Sequence, residues 1–186
     1  MSGTVHGDPA SCSQLGGTLR QLATRLRTSG RAAHDAFDGS FDRPSDRPSD
    51  LGGAGSRAAP VLMQARRRVD VLDAGAAAAA REVDRVGAAL QAHASDLAEA
   101  VAESRALAQQ AQAAGLRVVD GELVAVWGVS GVADGTATAQ RDAAREQLQA
   151  RLDAVAALVG QRRHRLAATL RQSQAVLATH AGALRR

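Results

Sequence analysis

The sequence predicts an all-α protein: a long antiparallel helical hairpin, coiled-coil-like, with a short N-terminal helix forming a three-helix bundle at one end and a small β-hairpin at the tip. Three observations predict this. Apolar residues recur at three-four spacing from about Pro60 to Gly115 and again after Asp134, the pattern of a helical seam. Between these stretches lies Leu116 to Gly131, where β-formers surround an Asp-Gly pair. Aromatic residues make up 2% of the 186 residues and Tyr is absent, which suits helices seamed by Leu, Val and Ala better than a globular core around a large pocket.

In chain order, residues 1–37 hold an N-terminal segment and helix one. Ser11 or Ser13 is expected as the cap, ahead of the apolar stripe Leu15, Leu19, Leu22, Leu26, Ala33 and Phe37. Gly16, Gly17 and Gly30 weaken this helix by about 1 kcal/mol each relative to Ala. Residues 38–58 read as a flexible Pro/Gly linker containing a tandem Asp-Arg-Pro-Ser tetrad. Its Gly cluster lacks the Gly-Lys-Ser/Thr ending of a phosphate loop, so no nucleotide site is read there.

Residues 59–186 form the long hairpin. Helix two begins at Ala59 or Pro60, with Pro60 suited to the first turn. Its seam threads Leu62, Ala65, Val69, Leu72, Ala76, Ala79, Val83, Val86, Leu90, Ala94, Leu97, Val101, Ser104, Ala108 and Ala111. Ala74 to Ala80 is all Ala and Gly, small enough for close approach of a neighbouring helix. Gly75 and Gly87 are expected to bend the helix, and Gly115 to cap it. Asp134 or Thr136 is expected to cap helix three, whose stripe is Leu148, Leu152, Val155, Val159, Leu166, Leu170, Ser173, Leu177 and Leu184. The β-hairpin occupies 116–128. Asp120-Gly121 supplies the two positive-φ residues of a type I′ turn, and Val118, Val119, Val124, Val126 and Trp127 are β-formers.

All 23 residues in the Lys+Arg count are Arg, and Asn and Ile are missing with Lys, a codon bias that points to a GC-rich genome such as an actinobacterial one. Arginine therefore stands in partly for lysine. The net charge is +4, but Ala154 to Arg186 has no Asp or Glu and carries Arg162, Arg163, Arg165, Arg171, Arg185 and Arg186. Specific nucleic-acid binding is not expected, because stacking aromatics and a recognised motif are lacking. Cys12, the lone cysteine, forms no intrachain disulfide. There is neither a Sec signal peptide nor a transmembrane run. The expected location is the cytoplasm, or the outside by a Sec-independent route.

The chemistry-bearing residues do not assemble into a reaction centre in the sequence. Acid-base neighbours, such as Asp84 with Arg81 and Arg85, have the spacing of a solvated helix face. His6, His34, His93, His164 and His180 show no metal-ligand spacing, although His93 and His180 fall at or beside the seams. Ser130, in Gly128-Val129-Ser130-Gly131, misses the spacing of a nucleophile elbow. We expect no catalytic residues, no metal, no cofactor and no enzyme. Trp127 either packs across the hairpin with Leu116, Val118 and Leu123 or stands out as a partner anchor. The candidate partner-binding residues are Trp127, Leu123 and Val126 at the tip, with Arg162, Arg163 and Arg165 on helix three.

Leu15-Gly16-Gly17-Thr18-Leu19-Arg20, a Gly-containing turn and a long Ala-rich helix together resemble the actinobacterial Trp-x-Gly helical-hairpin superfamily, substrates and targeting domains of type VII secretion. Gly7-Asp8-Pro9-Ala10 and Ala125-Val126-Trp127-Gly128-Val129-Ser130-Gly131 also look like extended members. The family's Trp-x-Gly turn falls at Leu51-Gly52-Gly53, without the Trp, and its Tyr-based export signal has no counterpart here. The resemblance implies a non-enzymatic interaction protein, acting through a helical partner or as a homodimer. The rival expectation is an intracellular coiled-coil scaffold or regulator that meets nucleic acid or membrane through its basic C-terminal helix.

Overall fold

A computed structural model of the chain describes residues 7–40, 55–126 and 135–184. The elements are α1 (Pro9–Gly39), α2 (Gly55–Ala113), β1 (Leu116–Val119), β2 (Glu122–Ala125) and α3 (Gly135–Leu184). The expectations for linker residues 41–54, for Trp127, Ser130 and a cap at Asp134, and for Arg185 and Arg186 lie outside the described residues. The chain packs as two compact units. The first combines Met1–Gln14 with Leu90–Ala168, and the second combines Leu15–Ala89 with Thr169–Arg186.

The first unit is organised by large aliphatic side chains. Leu107, Leu116, Leu123, Leu148, Leu152, Val155 and Val159 share one buried cluster with Ala100 and Ala111. Burying a Leu or Val side chain stabilises by about 1.5–3 kcal/mol, so this cluster is the main apolar store of the fold. The α2 seam runs through Leu97, Ala100, Ser104, Leu107 and Ala111, all buried. It passes one residue to the side of the expected Val101 and Ala108, since a 3.6-residue period lets the stripe drift within the same face. α3 contributes Leu148, Leu152, Val155 and Val159 as expected. The two helices run antiparallel here, since Arg151 meets Glu103 while Arg162, further along α3, meets Asp96, earlier on α2.

The helix ends follow local chemistry. α1 is capped by Asp8 rather than by Ser11 or Ser13. Its Oδ1 accepts from the Ala10 amide at 3.0 Å, its carbonyl accepts from Cys12 N, and Pro9 takes the first helical position. The Ser11 hydroxyl donates to the same carboxylate. Ser11 and then Ala10 hold the Asp8 carboxyl below its ordinary value, because their hydrogen bonds favour the ionised form. α2 begins at Gly55, ahead of the expected start, so Pro60 stands inside the helix. Its far end closes at Gly115, whose φ of +70° is the left-handed conformation of a helix C-cap. α3 already begins at Gly135, so Thr136 lies within the helix and is not its cap.

In the second unit α1 and α2 meet through small residues. A Cβ on Gly87 would stand 2.7 Å from the Gly16 carbonyl oxygen, and one on Gly30 would stand 2.8 Å from the Ala76 Cβ. Ala23 and Ala80, midway between these points, are fully buried. The contact line is therefore Gly16, Ala23 and Gly30, not the leucine stripe. Leu15 and Leu22 flank the line and remain exposed. Glycine and alanine win the centre because only they let two backbones approach this closely, which also makes Gly87 a contact point rather than a bend. The helices run antiparallel, with Arg20 on Asp84 at 3.1 Å, His34 on Asp70 at 3.3 Å and Asp38 on Arg66 at 3.2 Å.

α3 joins this unit through a polar cluster. Ser173, buried at a seam position, accepts from Arg85 Nη2 at 3.4 Å, and Arg85 also pairs with Glu82. Its hydrogen bond with Ser173, ahead of the interaction with Arg85, holds the Glu82 carboxyl below its ordinary value against the opposing effect of desolvation.

Candidate interaction surfaces

The β-hairpin follows from its turn. Asp120 and Gly121 adopt φ of 51° and 92°, the double positive-φ geometry of a type I′ turn. The register pairs Leu116 with Ala125 and Val118 with Leu123, so Leu116, Val118 and Leu123 share one face. That face packs into the first unit's core. Gln149 of α3 then fastens the turn. Its Oε1 accepts from the Leu123 amide at 2.9 Å, and its Nε2 donates to the Gly121 carbonyl at 3.1 Å and to Asp153 at 2.9 Å. A glutamine on a polar helix face carries no sequence signal for such a role.

The six candidate partner-binding residues separate. Leu123 is 5% exposed and belongs to the core, so it offers no surface, whereas Val126 is 56% exposed. Trp127 lies outside the described residues. Val119, not among the candidates, is also exposed, and the strand alternation puts it on the outer face with half-buried Val124. Arg162 is half-buried, with Nη1 3.2 Å from Asp96 Oδ1 and 3.3 Å from the Asp96 carbonyl oxygen, so it ties α3 to α2. Arg163 and Arg165 are exposed. Of the three arginines, then, one is engaged between α2 and α3 and two are exposed.

A larger apolar surface lies in the second unit. Val61, Leu62, Met63, Val71 and Leu72 of α2 are all exposed, as are Leu15 and Leu22 of α1. Leu62 and Leu72 belong to the expected seam, so these are inward-type positions left open, not scattered surface residues.

The acid-base neighbours of α2 distribute differently from their sequence spacing. Asp84 goes to Arg20 of α1, and Arg85 goes to Glu82. Arg81 is left facing an open groove between α1 and α2, lined also by Arg27, Thr28, Arg31, Asp73 and Ala77. His93 and His180 are half-buried, while His34 stands at the α1–α2 contact through Asp70. Among the described residues no three His, Cys, Asp or Glu side chains converge as a metal-ion set, and no helix is long and apolar enough to cross a membrane.

Together these features define a mostly helical protein whose distinctive surfaces are a small antiparallel hairpin, an open leucine face and an arginine groove. Compared with known protein families, with curated proteins and with solved structures, the chain has no match.

Proposed function

We propose that the chain is a non-enzymatic helical interaction protein that packs the open apolar face of its second unit against a helical partner, either another protein or a second copy. In this reading α1, the first half of α2 and the end of α3 make a three-helix bundle whose apolar flank the partner completes. One observation carries the proposal. Leu97 and Leu107 of the α2 seam are 3% and 2% exposed, whereas Leu62 and Leu72 of the same seam are 42% and 53% exposed. A coiled-coil seam that is buried in one half and open in the other is the expected form of a helix that shares its open half. The resemblance of Leu15 to Arg20 and of Ala125 to Gly131 to Trp-x-Gly proteins supports a type VII secretion association for that partnership. The engagement of Arg162 by Asp96 weighs against the rival reading of an anionic surface held by the α3 arginines.

Native mass spectrometry of the purified chain, alone and with the products of neighbouring genes, tests the proposal. The expected result is a dimer or heterodimer that Leu62→Glu with Leu72→Glu dissociates while helical content is kept. A strictly monomeric chain without a partner overturns it.

A further inference from the structure

Along one flank of the α1–α2 contact, charged side chains alternate in pairs across the interface. Arg20 meets Asp84, His34 meets Asp70, and Asp38 meets Arg66, at 3.1, 3.3 and 3.2 Å respectively. The stretch between the first two pairs does not balance. The groove there brings Arg27 and Arg31 of α1 and Arg81 of α2 together with a single carboxylate, Asp73. Asp73 sits at the helix contact, its Oδ1 3.1 Å from the place a Gly30 Cβ would take. Arg31 has only a long 3.9 Å approach to Asp35 on its own exposed helix face, a pair of little energetic weight. Among the described residues, Arg27 and Arg81 form no ion pair. Three guanidinium groups against one carboxylate leave two positive charges in surplus. Ala77 is the small apolar residue among those lining the groove.

The donor set narrows the ligand. The Thr28 hydroxyl donates its proton to the backbone, to Thr24 O at 3.1 Å or Arg25 O at 3.0 Å, and so contributes no donor toward the groove. Recognition falls to the guanidinium groups, whose planar forks match tetrahedral oxyanions, and arginine is the residue most suited to binding phosphate in this manner. A phosphate monoester carries about −1.5 to −2 charge at neutral pH, close to the surplus. A single carboxylate would leave about half of it uncompensated.

We propose that the Arg27–Arg31–Arg81 groove is a binding site for a phosphate monoester dianion, presented either as a free small molecule or as a lipid headgroup. The site is distinct from the leucine face and does not depend on it. Its test uses the full chain at low salt, with inorganic phosphate as one probe and vesicles of phosphatidylcholine with or without phosphatidic acid as the other. Binding is read by calorimetry and by the Nε–H resonances of the arginines. Phosphate is expected to move the resonances of Arg27, Arg31 and Arg81. Arg27→Gln and Arg81→Gln should each weaken binding about tenfold, the loss of one charge-assisted contact. Arg105→Gln removes the same charge from an exposed position on α2 in the first unit and should leave binding unchanged. Phosphate alone sufficing identifies a soluble ligand, and binding only to phosphatidic acid vesicles identifies a headgroup. The proposal is overturned if neither probe binds, or if Arg105→Gln weakens binding as much as the groove variants. Circular dichroism of each variant confirms that the fold is kept.

Discussion

Gly87→Ala should destabilise the second unit even though it improves the helix. On propensity alone, replacing a glycine inside a helix by alanine gains about 1 kcal/mol. At Gly87 the new Cβ would lie 2.6 Å from Arg20 Cγ, 2.7 Å from Gly16 O and 3.3 Å from Arg20 N. The Arg20 side chain can swing away, at the risk of its Asp84 pair. The other two atoms are backbone of α1 and yield only if that helix moves outward, and overpacking of this kind costs about 1–3 kcal/mol. The clash therefore outweighs the propensity, with a net loss of about 1 kcal/mol. In a chain of this size that lowers Tm by roughly 2–4 °C. Gly160, inside α3 of the first unit, provides the control, because a Cβ there would meet nothing within 4 Å. Gly160→Ala should collect the propensity gain alone and raise stability by about 1 kcal/mol. Thermal and urea unfolding followed at 222 nm would be compared for wild type and both variants. Equal stabilisation by the two substitutions would refute the close α1–α2 approach.

Two further changes follow from buried polar groups. The Ser104 hydroxyl is buried without a hydrogen-bond partner among the described residues, so Ser104→Ala should raise stability by about 1 kcal/mol or more in urea titration, and a loss would show a partner for that hydroxyl. The folded-state pKa of Glu82 is depressed, so its contribution is present above the ordinary glutamate value of 4.5 and is lost as pH falls through the lower folded value. Stability of the second unit, followed between pH 6 and 2, should decline less steeply in Glu82→Gln than in wild type; parallel curves would contradict the Ser173 hydrogen bond.

What was legible in the sequence is what local chemistry dictates. Asp120-Gly121 requires positive φ at both positions, and a two-residue turn then sets the register of β1 and β2 without help from the rest of the fold. The α3 stripe was legible because Leu148, Leu152, Val155 and Val159 are large and regularly spaced. The inner face of α1 was not, since hydrophobic periodicity favours leucines whereas the contact with α2 selects Gly16, Ala23 and Gly30 for size. Side chains acting across elements carry no local trace. Gln149 clamps the hairpin from α3, and Asp84 pairs with Arg20 in preference to the arginines beside it in sequence. The Arg27–Arg31–Arg81 groove depends on that redistribution and was likewise hidden.

The two units are stabilised differently, and this makes α2 a helix of unequal halves. In the first unit, seven Leu and Val side chains share one buried cluster, each contributing about 1.5–3 kcal/mol. In the second, the buried hydrophobic residues among those described are Ala23 and Ala80, which bring backbones together but remove little apolar area from water. Exposed ion pairs between α1 and α2 add at most a few tenths to about 1 kcal/mol each and weaken with salt. Amides of α2 from 60 to 89 should therefore exchange with solvent through openings well below the global free energy, while those from 94 to 111 should approach it. Native-state hydrogen exchange measures this directly, and raised salt should accelerate exchange more in the first stretch than in the second, where the leucine core carries the stability. A partner that covers Leu62 and Leu72 should slow exchange in that stretch. Uniform protection along the whole of α2 would mean that small-residue packing holds the second unit as firmly as leucines hold the first, and the open face would then lose its energetic reason to seek a partner.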